Sequence, residues 1–345
     1  MNQEKSIALS IISNNSCGIG LPKFPNVFFI KNLNFQAEHG LSFLIEVLET
    51  PKKKNIDSII KSKKIFTALF DTGGNTNTIF NNFPYFQRNY SDISRIVLSH
   101  GHYDHIGGLK QVVENIDKTN QKDLKIIAHP DSKNIKVIQY KMKGKCNDLI
   151  GKTLDEAEPD FQNGSFRKFD RIPLVERIES KTEPEVLYED SDGIKIFTTG
   201  EVPRNNSYEI VPKRFLQFND KTGKIEKDDI LDDLSLVLET GKNKPAILVT
   251  GCCHAGIVNT YERAKTLTKS PIDVAIGGFH LVSADEDKLK FTSDYLFNKT
   301  ELKAVFPIHC SGSQIFHEIE KLREKNNGKG LKAFNDNPVG LTFLF

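Results

Sequence analysis

The sequence has no long hydrophobic run. No window approaches the roughly 18 consecutive apolar residues that cross a bilayer, so no transmembrane helix is expected. Charge of one sign is also missing: 47 Lys and Arg against 45 Asp and Glu leave a formal net charge of +2. Without a basic excess, the chain has no general pull towards nucleic acid or anionic membrane. Lys52-Lys53-Lys54 and the run from Lys61 to Lys64 read as solvated surface. No basic patch interleaved with aromatics stands out, which counts against nucleic-acid processing. Cysteine is sparse and odd in number: Cys17, Cys146, Cys252, Cys253 and Cys310, two of them adjacent. That is a poor disulfide framework and fits a reducing compartment. Met1-Asn2-Gln3-Glu4-Lys5 and the short apolar run after it lack the basic start and long apolar stretch of an export signal, so a cytoplasmic location is expected. No repeat of 20–50 residues is visible.

What is present is an ordinary soluble composition, 38% hydrophobic and 27% charged over 345 residues, enough for one large domain or two modest ones. Apolar runs at Ser6–Ile12, Leu41–Leu48, Lys64–Phe70, Ile93–Leu98 and Leu124–Ala128 read as strands. Helices are expected at Thr76–Phe83, capped by Asn75 or Thr76, and at Leu109–Ile116. Residues 131–190 are polar, charged and weakly periodic, and read as an insertion or cap, with ordinary surface loops as the alternative. Strands resume at Ile194–Thr198, Leu234–Glu239, Ala246–Thr250, Val274–Ile276 and Ala304–Ile308. Helices are expected over Asn259–Leu267, up to Asn298 and over Gln314–Lys325. The order suggests an α/β layered fold. A polar residue follows strand after strand at its C-terminal end, where active sites of such folds collect.

The segment Ser99–Leu109, SHGHYDHIGGL, follows an apolar strand and places His100, His102, Asp104 and His105 within six residues. Imidazoles at i and i+2 can meet one metal, and an Asp and a His just beyond can reach a second. Gly107 and Gly108 are expected to let the backbone turn tightly beneath the site.

His100-Gly101-His102-Tyr103-Asp104-His105 resembles the H-x-H-x-D-H signature of the metallo-β-lactamase superfamily. Phe70-Asp71-Thr72-Gly73, Ile127-Ala128-His129 and Phe306-Pro307-Ile308-His309 resemble its flanking strand ends. The resemblance covers nearly the whole chain. It implies a single αββα sandwich over 1–345 with one or two divalent metal ions at one edge, zinc first, with iron or manganese as alternatives. Three further segments are similar to a narrower branch: Asp232-Asp233-Leu234-Ser235-Leu236, the run from Thr250 through Cys252-Cys253-His254 to Asn259, and Ile276-Gly277-Gly278-Phe279-His280-Leu281. That branch is the 7,8-dihydropterin-6-ylmethyl-4-(β-D-ribofuranosyl)aminobenzene 5′-phosphate synthases of methanopterin biosynthesis.

Two features depart from the family pattern. No His stands near Thr198-Thr199-Gly200-Glu201, and Cys252 stands where a bridging Asp is common. The expected ligands are therefore His100, His102 and His254 for one metal, and Asp104, His105 and His309 for the other, the second without an acidic bridge. Asp104 and His280 are the expected catalytic groups. Asp71 is expected to orient a ligand histidine. His129 is expected to be structural, and His39 and His317 to lie on the surface. Cys252, Cys253 and Cys310 read either as thiolate ligands or as small buried residues, and Asp232 and Asp233 either as loop holders or strand caps. The function expected is hydrolysis of a phosphorylated small molecule. The alternatives are displacement of diphosphate from a dihydropterin, with Lys141, Lys143 or Lys145 as basic contacts, and a non-catalytic metal-binding protein.

Overall fold

A computed structural model describes residues 4–18, 22–31, 34–119, 123–139, 148–335 and 337–345. Within them two large mixed sheets face each other. The first has eight strands in the order Val27–Phe29, Leu341–Leu344, Lys5–Ser13, Ser42–Glu49, Lys64–Phe70, Arg95–Val97, Lys125–Ala128 and Ile178–Ser180. The second has seven: Val186–Glu189, Ile194–Thr198, Ser235–Thr240, Ala246–Thr250, Ile272–Gly277, Ala304–Pro307 and Lys332–Ala333.

Each sheet changes character along its width. Pairing is antiparallel up to Lys64–Phe70 in the first sheet and parallel beyond it. In the second it turns parallel after Ala246–Thr250. Parallel neighbours need long crossovers, usually helical, and helices Thr76–Asn82, Leu109–Asp117, Ile257–Leu267, Glu286–Asn298 and Gln314–Lys325 supply them. Parallel strands also end at the same edge. Thr250, Gly277 and Pro307 stand in register, as do Phe70 and Val97. Every loop that follows these residues therefore emerges at one rim.

The strands alternate inward and outward residues with both faces buried, as sheets covered on both sides do. Phe43, Phe70, Val97, Leu236, Val249, Ile276 and Phe306 meet between the sheets. Leu44, Leu69, Ile96 and Leu98 face outward onto Ile79, Leu109, Val112 and Ile116. Val237, Leu248, Ala275 and Val305 face outward onto Ile257, Tyr261, Leu296 and Ile315. Helix, sheet, sheet and helix thus stack as the αββα expectation requires.

The polar segment 131–190 does not hold together as one insertion. Ile135–Gln139 and Phe166–Lys168 join Phe215–Asn219 and Lys224–Lys227, from well beyond it, in a separate four-stranded antiparallel sheet. Helix Leu154–Gln162, with a Thr153–Glu156 capping box, packs beside it over Val137, Leu149, Ala157, Phe166, Leu216 and Ile225. Ile178–Ser180 returns to the first large sheet and Val186–Glu189 to the second. The physical reason is size: strands of three to five residues with one small apolar face leave little periodicity in a charged sequence. Lys141, Lys143 and Lys145 lie outside the described residues.

Gly107 and Gly108 serve closeness rather than turning. Their φ values, −60° and −87°, suit any residue. A Cβ on either would stand 2.3 Å from a backbone oxygen, that of Gly74 or of Thr72.

Candidate metal centre

The loop after Arg95–Val97 is tied down before its histidines begin. Asp71, at the end of the neighbouring strand, accepts the Ser99 N–H at 2.7 Å, the Ser99 hydroxyl at 2.8 Å and the His105 Nδ1–H at 2.6 Å. The one Ser99 hydroxyl proton is thereby used, so the 2.9 Å contact between Ser99 Oγ and His100 Nδ1 is donated by the imidazole. In both His100 and His105 the Nδ1 then carries the proton. His100 Nε2 is left with a bare lone pair, the arrangement a metal ligand needs, whereas His105 Nε2 must give up a proton when a metal binds.

His100 Nε2 lies 2.9 Å from His102 Nδ1, which lies 3.1 Å from His254 Nε2. Burial makes these imidazoles hard to charge. It takes His102 down to about 3 and His100 and His254 well below the ordinary range. Three neutral rings thus converge three nitrogens, and one ring proton cannot satisfy both neighbours, whereas one divalent cation satisfies all three.

A second group adjoins the first. Asp104, His105, Cys252 and His309 each offer a donor atom within 4.8 Å of the others, and Cys252 stands equally close to His100 and His254. His105 Nε2 is 3.1 Å from the Cys252 sulfur. The His309 ring is oriented by Asn15, whose Oδ1 is 2.9 Å from Nδ1, and its backbone N–H donates to Asn14 Oδ1 at 3.1 Å. Its Nε2 then faces Asp104 Oδ2 at 3.2 Å. With Nδ1–H spent on Asn15, the contact closes through a proton on Nε2 or through a cation in its place. Burial opposes charge on Asp104, but His105, His309 and His39 hold its carboxyl well below the usual range. His105 is disfavoured as a cation by burial, yet Asp71 and Asp104 lift it to about 9. Burial pushes the Cys252 thiol well above its ordinary value, so a thiolate there needs a cation beside it. The buried donor set fits a divalent metal.

Four non-glycine residues at these strand ends have left-handed backbone: Asp71 (φ 62°), Cys253 (62°), His280 (47°) and His309 (54°). Such φ values cost about 1–2 kcal/mol per residue and concentrate where geometry is functionally constrained. Here they turn the chain sharply at the rim just where donor side chains leave it.

All the predicted ligands are brought together. His280 also reaches the site: with His102, Asp104, His254 and His309 it lines a cavity of about 410 Å³. Its ring is 4.1 Å from that of His254, and both its ring nitrogens are buried without a hydrogen-bond partner. The two adjacent cysteines divide. Cys252 stands among the donors, whereas Cys253 packs into the outer core and its thiol donates to Thr260 Oγ1. Asp232 and Asp233 hold loops. Asp232 accepts the Gly101 N–H at 2.7 Å, and Asp233 accepts the Ala255 N–H at 2.8 Å. His129 is buried and accepts the Asp131 N–H that begins the next turn. His317 is exposed on the outer helix.

His39 lies on the surface, as expected, and also takes part in the cluster. It is half-exposed, but it reaches Asp104 Oδ2 at 3.3 Å and stacks on His309 with ring centroids 5.0 Å apart. Nothing local in His39-Gly40 signals this, because the approach comes from strand pairing. Asn14 and Asn15 orient His309. Glu209 was also missed. It is buried and receives the Val258 and Asn259 N–H groups at 2.9 Å each, capping helix Ile257–Leu267 behind His254.

Fold and site together define the class: the chain belongs to the metallo-beta-lactamase superfamily. The family model of that superfamily matches residues 64–131, the stretch from Asp71 through the clustered histidines. The chain is 30% identical over 286 residues to the 7,8-dihydropterin-6-methyl-4-(beta-D-ribofuranosyl)-aminobenzene-5'-phosphate synthase of Methanocaldococcus jannaschii, covering 81% of this chain and 83% of that one. It is 36% identical over 293 residues to an uncharacterized protein of the same organism, covering 85% and 90%. Among solved structures it resembles a metal-dependent hydrolase of the beta-lactamase superfamily, with TM-score 0.64 and 19% identity over 98% of each chain, a likeness of fold. No helix among the described residues is long and apolar enough to cross a membrane.

Proposed function

We propose that this protein is a metal-dependent enzyme that breaks a bond to phosphate in a small molecule. Its metal ligands would be His100, His102 and His254 in one site, and Asp104, His105, His309 and Cys252 in the other. The observation that carries this reading is the convergence of imidazole nitrogens, oriented by Asp71, Ser99 and Asn15, on one carboxylate and one thiol. A divalent ion held there would polarise a phosphoryl oxygen and bring the pKa of water towards about 7. Imidazole and sulfur donors favour zinc, with iron next and manganese less suited.

The chain's own residues supply the rest. Asp104, kept ionised by three histidines, presents a carboxylate that orients a water. His280 faces the cavity with two unpartnered ring nitrogens, placed to give a proton to the leaving group or hold a phosphate oxygen. With water as acceptor the reaction is hydrolysis.

The similarity to the methanopterin-pathway synthase supports a second reading. There a dihydropterin methyl diphosphate gives up diphosphate, and the aminobenzene compound takes over the methylene carbon. Both readings break a bond to phosphate at the same site and differ in the acceptor. Metal analysis of protein purified without chelator, joined to paired hydrolase and transferase assays, separates them. His100→Ala and His102→Ala are expected to lose metal and activity together. Unchanged metal content in both variants would sink the ligand assignment. Full metal occupancy with neither activity would leave a non-catalytic metal-binding protein.

A further inference from the structure

The cavity wall carries a cation that has no ion-pair partner among the described residues. Arg214 lines the same cavity as His102, His254 and His280. Among the described residues its guanidinium makes no hydrogen bond or ion pair, and its Nε is buried without a partner. Arg88, Arg177 and Arg263 differ. Arg88 is clamped to Glu46 at 2.6 and 2.9 Å, Arg177 bonds to Asp117, and Arg263 bonds to the Thr199 carbonyl.

Arg214 is held in place all the same. Its carbonyl accepts the Gln139 N–H at 3.0 Å, where strand Phe215–Asn219 pairs with Ile135–Gln139. Its guanidinium carbon lies 5.0 Å from the Phe215 ring centre, and that ring lies 5.3 Å from His102 and 5.2 Å from His254. The small sheet thus delivers a pinned cation beside the metal ligands. Among the described residues the one acid lining the cavity is Asp104, already facing His39 and His309.

An uncompensated guanidinium in a cavity calls for an anion, and its planar fork matches two phosphate oxygens. We infer that Arg214 anchors the substrate's phosphate, gripping its non-bridging oxygens beside the metal ligands and selecting phosphate-bearing compounds over neutral ones. This specificity role rests on the phosphate reading of the site given above.

The test uses the full-length, metal-loaded protein and its Arg214→Gln and Arg214→Lys variants, each titrated calorimetrically with inorganic phosphate at fixed ionic strength. Arg214→Gln is expected to bind phosphate about tenfold more weakly or worse. Arg214→Lys, which keeps the charge but not the fork, should recover part of the loss. Metal content and melting temperature should match the parent in both. Equal phosphate affinity in the parent and Arg214→Gln overturns the inference while leaving the phosphate reading standing. A parent protein that binds no phosphate at full metal occupancy overturns that reading, and the inference with it. Loss of metal or stability in both variants assigns Arg214 a structural role and also overturns the inference.

Discussion

Asp71 shows how much one buried side chain decides. It accepts three hydrogen bonds, and two histidine tautomers follow from them. In Asp71→Asn the amide must turn an NH₂ towards one of three donors, freeing His105 to rotate or change tautomer. Metal affinity should fall about 10–100-fold, measured by competition with a chelator of known strength. Unchanged affinity would reduce Asp71 to scaffold. Glu209 makes a separate prediction. Burial outweighs its two backbone hydrogen bonds and raises its carboxyl from 4.5 to about 7. A carboxyl raised on folding binds more protons in the native state, so its contribution is complete below about 4.5 and lost as pH rises through about 7. Thermal melts of Glu209→Gln across pH 4.5–8 should therefore decline less with pH than those of the parent. Parallel curves would show that Glu209 does not titrate in this window.

At the scale of elements, the site is a product of parallel strands ending at one rim. Loops from different strands pass almost in contact there. A Cβ on Gly278 would lie 2.4 Å from the Gly251 oxygen and 2.8 Å from the Cys310 sulfur. Gly278→Ala should destabilise the protein by about 1–3 kcal/mol in urea unfolding and lower its metal stoichiometry, because the loops carrying Cys252 and His280 must separate. A variant with parental stability and metal content would mean the loops yield without cost. Much of this level was legible. Lys64–Phe70, Ile194–Thr198, Ala246–Thr250 and Gln314–Lys325 form over the residues expected, because each is a clear apolar pattern bounded by turn residues. Phe215–Asn219 and Ile135–Gln139 were not seen, because they are short and carry their polar residues on a partly buried sheet.

For the whole molecule, the small sheet and the sandwich are joined through buried charge. Lys136 Nζ lies 2.9 Å from Asp228 and 3.1 Å from Asp232, and Asp232 holds Gly101 between His100 and His102. Lys136→Met would strand two buried carboxylates. It should cost about 3–5 kcal/mol in denaturant unfolding and weaken metal binding with it. A loss confined to stability would separate the small sheet from the metal loop. Metal itself should tie the sheets together: a ligand at 100 times its Kd adds about 2.7 kcal/mol, so chelation should lower the melting temperature measurably. An unchanged melt after complete metal removal would argue against a site spanning both sheets. The sequence by itself determined the layered fold and the clustering of His100, His102, Asp104 and His105, because strand periodicity and that spacing are local properties. Only the tertiary structure separated Cys252 from Cys253, brought His39 and Asn15 to Asp104 and His309, and left Arg214 without an ion-pair partner among the described residues. Those facts depend on which strand ends meet across two sheets, and no short stretch of sequence encodes that meeting.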